Sequence, residues 1–118
     1  MNARLIVALL FIPLAQASAR EHFACNAAAL APAERLRHQE LSKTLLGAVL
    51  EKVELKDGYG LRLAAEHFMN AAEWVSLERR CCPFFTFVLE QGRDQGPLWL
   101  RMTGSEGIKP FIRIEFRL

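Results

Sequence analysis

Lys52-Val53-Glu54-Leu55-Lys56-Asp57-Gly58-Tyr59-Gly60-Leu61-Arg62-Leu63 is the stretch on which the fold turns. Val53 and Leu55 alternate with Lys52 and Glu54, and Tyr59, Leu61 and Leu63 alternate with Gly60 and Arg62. A period of two is that of a strand with one buried face. Asp57-Gly58 between the two runs predicts a hairpin with a type I′ turn.

Working outward toward the C-terminus, the period changes. From about Ala65 to Cys82, Phe68, Ala72 and Val75 form one helical stripe, with Ala71, Trp74, Glu78 and Cys81 beside it. Pro83 ends this helix, because proline disfavours helical geometry in the residue before it, and so the two cysteines fall in the last turn. A second hairpin follows: Phe85, Phe87 and Leu89, a turn over Gly92 to Pro97, then Leu98, Leu100 and Met102. The final segment has two readings. Ile112, Ile114, Phe116 and Leu118 alternate like a strand, whereas Ile108, Phe111, Ile112 and Phe116 make a helical stripe, and a helix from about Pro110 is favoured.

Toward the N-terminus, Pro32 suits a first helical turn, and Leu41, Leu45, Leu46 and Val49 recur at helical spacing, with Glu34 and His38 on the same stripe. The order is helix, two strands, helix, two strands, helix. This predicts an α+β domain, a four-stranded antiparallel sheet of two hairpins with helices packed on one face.

The 118 residues carry 15 Lys plus Arg against 13 Asp plus Glu, a formal charge of +2, and 52% of them are hydrophobic. That much apolar material with so little net charge excludes an intrinsically disordered chain. Basic and acidic residues are interspersed, so the chain has no electrostatic footprint for nucleic acid or for an anionic membrane surface. No repeat or linker divides it, and a single domain is expected.

Residues 1–19 stand apart. Arg4 precedes the apolar run Leu5 to Ala15, and Gln16-Ala17-Ser18-Ala19 ends in a small-x-small pattern. This has the form of a secretory signal peptide, too short and too interrupted by Pro13 for a membrane span of roughly 20 apolar residues. Cleavage after Ala19 leaves a domain of residues 20–118, periplasmic or secreted, with no stable membrane anchor. A cytoplasmic location follows if the leader is not a functional signal. The three cysteines all lie in 20–118, and an oxidising compartment would require them to pair, to bind metal or to depend on a reductant.

The chemistry concentrates in Glu78-Arg79-Arg80-Cys81-Cys82-Pro83-Phe84-Phe85. Two adjacent sulfurs with a third donor make a soft, low-coordination site for a thiophilic metal ion or a metalloid, since thiolate is the ligand form. Cys25 is the natural third thiol. Glu78 lies one helical turn before the cysteine pair, and His38 offers an imidazole from another helix. The candidate metal site is therefore Cys25, Cys81 and Cys82 with His38 and Glu78. Two other readings stay open: a disulfide, either Cys81 with Cys82 or one of them with Cys25, in a thiol-disulfide redox protein, and core cysteines in a structural or interaction domain. The helix C-terminus opposes thiolate formation while Arg79 and Arg80 favour it. No nucleophile, base and orienting group are specified together and no Gly-rich phosphate loop is present, so a non-enzymatic role is expected.

Cys25, Pro32-Ala33-Glu34-Arg35-Leu36-Arg37-His38, Asp57-Gly58-Tyr59, Glu78 to Phe84 and Leu98 to Gly104 together carry a resemblance that spans essentially all of residues 20–118. The chain resembles a small, uncharacterised bacterial family associated with heavy-metal-responsive regulators of the mercury-resistance type. The resemblance implies a compact α+β domain in which Cys25, His38, Glu78, Cys81 and Cys82 gather. Two features depart from the family pattern: the apolar leader, which argues against a cytoplasmic location, and Pro110, in the segment the family writes Gly-Val-Lys-Glu-Phe.

Overall fold

A computed structural model describes residues 23–118, so the signal-peptide reading of residues 1–19 lies outside the described residues. The chain runs from a one-turn 3-10 helix (Ala27–Ala29) into α1 (Pro32–Gly47), β1 (Glu51–Leu55), β2 (Gly58–Leu63), α2 (Phe68–Cys81), β3 (Thr86–Gln91), β4 (Leu98–Thr103) and α3 (Ile108–Glu115). The strands form one antiparallel sheet in the order β1-β2-β4-β3, which makes this an α+β fold. Both hairpins form as their alternation predicts, and the non-sequential pair β2 and β4 sits at the centre.

Register decides which face carries the core. Tyr59 lies opposite Met102, Leu61 opposite Leu100 and Leu63 opposite Leu98, with Phe87 and Leu89 continuing the row on β3. Paired residues in an antiparallel sheet project to one side. The helices cover that side: Leu45 and Trp74 pack against Leu61 and Met102, Trp74 meets Phe87 edge-on, and Arg113 of α3 donates to the Tyr59 hydroxyl at 2.8 Å. Leu41, Leu98, Met102 and Ile112 are fully buried beneath them.

The first hairpin departs from expectation in two respects. Leu55 pairs with Gly58, so the loop is Lys56-Asp57, and neither residue has a positive φ. A type I′ turn requires left-handed backbone at both loop positions, and this turn is not one. Gly58 is needed for a different reason: a Cβ there would lie 1.9 Å from the Met102 carbonyl oxygen, so glycine permits the close approach of β2 to β4. The register also places Val53 opposite Gly60 and Lys52 opposite Leu61. The apolar side chains of β1 thus project from the face away from the helices. Its charged ones meet α3, where Lys109 pairs with Glu54 at 2.5 Å.

The C-terminal segment is helical from Ile108, two residues ahead of the expected start. Gly107 precedes it at φ 90°, a left-handed conformation that favours glycine. Pro110 lies within the first turn, where no backbone N–H is required, which is why it does not prevent the helix. Among the described residues no helix is long and apolar enough to cross a membrane.

A candidate thiol and metal site at the end of α2

The site forms where α2 stops. Cys81 is the last helical residue, and Cys82 leaves the helix at φ −124° and ψ 72°, outside helical geometry ahead of Pro83. This break separates the directions of two adjacent side chains. Cys82 forms a disulfide with Cys25, with Cα atoms 4.6 Å apart, while Cys81 remains a buried thiol with its Sγ 3.7 Å from that of Cys82.

Several polar contacts hold the N-terminal segment across the end of α2. The Asn26 N–H donates to the Cys81 carbonyl at 2.7 Å, and its side chain accepts from Ala28 N–H to cap the 3-10 turn. Arg80 spans the same junction, donating to the Ala29 carbonyl and to both carboxylate oxygens of Glu34. Glu34 in turn accepts the Ala31 N–H at the start of α1, a backbone donor without an intrahelical partner. The Arg80 guanidinium, followed by the Ala31 N–H, holds the Glu34 carboxyl below the usual carboxylate range. Phe23 adds an apolar anchor against Phe84 and Phe111.

Glu78 is the buried polar residue at the centre, 1% exposed. Its Oε2 accepts a hydrogen bond from His38 Nε2, and Cys81 Sγ lies 3.9 Å from the same oxygen. His38 is aligned on the Trp74 ring, and Trp74 is fixed by donating its indole N–H to Ser42 at 2.9 Å. Two sets of donor atoms therefore converge, each within 4.8 Å: Cys25, Glu78 and Cys82, and His38, Glu78 and Cys81. Glu78 belongs to both. The tertiary fold brings all five sequence-predicted residues together, and as the chain stands oxidised two of the three sulfurs are bonded to each other.

The opposing influences on the thiol resolve in one direction. Burial, and next the Glu78 charge, push the Cys81 thiol up to about 11, with Glu115 adding a smaller contribution of the same sign. The attraction between Arg80 and the Cys81 charge is outweighed, its guanidinium being engaged by Glu34, and Arg79 donates to the Ser76 carbonyl.

The site opens into a cleft of about 460 Å³, lined among others by Cys25, Leu30, Arg35, His38, Glu115 and Phe116. By contrast, the apolar crevice between α1 and the sheet measures about 10 Å³, a packing gap rather than a ligand site. Sequence reasoning passed over Arg35, Gln39, Ser42 and Glu115. The first three share with His38 and Leu46 the spacing of one helical stripe, so that part of the lining was visible as a polar interruption of an apolar face. Glu115 carried no such signal. Searches of protein-family models, curated proteins and solved structures return no match to this chain.

Proposed function

We propose that this chain is an exported, non-enzymatic protein that captures a soft metal ion or metalloid in its reduced form, through Cys25, Cys81 and Cys82 with Glu78 and His38 beside them. The observation that carries this reading is the convergence of two three-residue donor sets on the shared carboxylate of Glu78. Thiolate sulfur selects thiophilic ions, and a carboxylate paired with an imidazole can both complete a ligand set and accept the protons released on binding. In the oxidised form the Cys25–Cys82 bond withholds two sulfurs, so reduction gates capture. A disulfide agrees with export to an oxidising compartment.

The test is native mass spectrometry of the protein before and after reduction, titrated with zinc, copper(I), mercury(II) and arsenite. A one-to-one adduct is expected in the reduced protein alone, and the Cys81→Ser/Cys82→Ser double variant should lose it. Unchanged affinity in the double variant would overturn the proposal.

A second reading has its own observation. A thiol 3.7 Å from a disulfide sulfur is placed for exchange, as in a thiol-disulfide redox protein. That reading expects a reversible two-electron couple within the range of glutathione buffers, and a disulfide unchanged across that range would count against it.

A further inference from the structure

The cleft beside the disulfide has charges at its margin that the capture of a bare ion does not use. Arg35 is half-buried, and its Nη1 donates to the Leu30 carbonyl at 3.0 Å and, at 3.5 Å, to the Ala27 carbonyl. These carbonyls belong to the segment that carries Cys25, so the guanidinium is fixed alongside the disulfide. Among the described residues Arg35 forms no ion pair, a property it shares with Arg79, Arg93, Arg113 and Arg117, but of these it is the arginine that lines the cleft. Glu115, exposed in the last turn of α3, lines the same cleft and likewise forms no ion pair among the described residues. The cleft lined by Cys25 and Cys82 thus also carries a cation, Arg35, and an exposed anion, Glu115, that have no ion-pair partner among the described residues.

We infer that this cleft is the entry site for a small zwitterionic aminothiol, a cysteine-class reductant whose carboxylate is taken by Arg35 and whose ammonium is taken by Glu115. The inference rests on the reduction-gated reading above and names the molecule that opens the gate. Accessibility decides the direction of attack, since Cys25 is half-buried whereas Cys82 is 1% exposed. The aminothiol, deprotonated to its thiolate in solvent, attacks Cys25 Sγ. A bond forms between the two sulfurs, the Cys25–Cys82 bond breaks, and its electron pair leaves on Cys82, which then takes a proton. A second aminothiolate attacks the reagent sulfur of the mixed disulfide and releases Cys25 as a thiolate, which is protonated in turn. The protein disulfide gains two electrons and two protons, and the two aminothiols become one small-molecule disulfide. Arg35 and Glu115 are positioning residues throughout, because neither touches a reacting sulfur.

The experiment follows the rate of disulfide reduction, by acid quench, alkylation and mass counting, with four thiols: cysteine, cysteamine, 3-mercaptopropionate and 2-mercaptoethanol. Intrinsic thiol reactivity cancels when each rate is divided by the rate of the Arg35→Gln variant with the same thiol. The ratio is expected to be about tenfold for cysteine and for 3-mercaptopropionate, the value of roughly one well-placed charge-assisted contact, and close to one for cysteamine and 2-mercaptoethanol. Arg35→Lys should restore most of the loss, which a merely structural role for the fork-shaped guanidinium would not allow. Glu115→Gln should slow cysteine and cysteamine and leave the other two unchanged. Equal ratios for all four thiols would overturn the inference, as would a carboxylate preference that survives in Arg35→Gln. Ion titration of protein reduced beforehand by a phosphine bypasses the cleft chemistry. Failure of the capture reading therefore shows in that titration, and failure of the aminothiol site shows only in the rate ratios.

Discussion

Burial and the Glu78 charge hold the Cys81 thiol protonated near neutral pH. With its thiol pushed up to about 11 from a reference of 9.0, the thiolate fraction at neutral pH falls about a hundredfold. Alkylation of Cys81 in the oxidised protein should therefore be about a hundred times slower than for an exposed thiol at pH 7.5. The rate should rise tenfold per pH unit and level off near pH 11, as followed by mass spectrometry. The same shift makes stability depend on pH. The folded state holds this proton more tightly than the unfolded chain, so the stabilisation is complete below about pH 9 and is lost as pH rises from 9 to 11. Glu78→Gln removes the second-largest cause and leaves burial, so the Cys81 value in that variant should lie between 9 and 11, measured from the pH dependence of alkylation. A plateau unmoved by the variant would mean that Glu78 does not act on the thiol. Glu78→Ala is a harsher change. It deprives His38 of its partner inside the site and is expected to cost about 3 kcal/mol in urea unfolding.

Backbone contacts dominate at the scale of the element. Gly58 admits no side chain because the Met102 carbonyl occupies the space a Cβ would take, and the two central strands of the sheet meet there. Gly58→Ala is expected to lower stability by more than about 2 kcal/mol, since backbone rather than a flexible side chain would have to move. The opposite sign is expected in the second hairpin, where Asp94 and Gln95 adopt φ 57° and 56°. Left-handed backbone disfavours residues with a Cβ, so Gln95→Gly should raise the thermal midpoint, a gain of roughly 0.5 to 1 kcal/mol. A midpoint that falls would show that the turn is held by the Gln95 side chain. The two glycine changes have opposite signs for one reason: in the first hairpin glycine makes room, and in the second it would relieve strain. Alternation identified both hairpins correctly, but the residues in their turns act through contacts and backbone angles that alternation does not encode.

Across the whole molecule the disulfide joins the first described residues to the end of α2, closing a loop across 57 positions of sequence. Such a closure restricts the unfolded chain by about 4 kcal/mol in the chain-entropy account, a large share of the stability of a small domain. Urea unfolding with and without a phosphine reductant should show a difference of that size, and equal midpoints would show that the core alone holds the fold. In the reduced protein, a captured ion at one hundred times its dissociation constant should return about 2.7 kcal/mol, so its midpoint should climb with ion concentration. Under the proposed function, reduction and destabilisation act through Cys25 and Cys82, the sulfurs that ion capture would then share with Cys81.

The sequence by itself determined the order of the first two helices and the four strands and the helix boundary at the cysteine pair, and it singled out five residues as candidates for one site while leaving the last segment open between helix and strand. Local periodicity and proline act on neighbouring residues, and their consequences follow from spacing alone. Only the tertiary structure decided that Cys25 pairs with Cys82 and leaves Cys81 reduced, that Glu78 serves both donor sets, and that Val53 and Leu55 project from the face away from the helices. The pairing depends on the non-helical backbone at Cys82 and on the Asn26 and Arg80 contacts that bring a distant segment across the helix end. The direction of the Cys81 shift is likewise a tertiary matter. Burial and a carboxylate from the preceding turn outweigh two arginines that are neighbours in sequence but point to other partners.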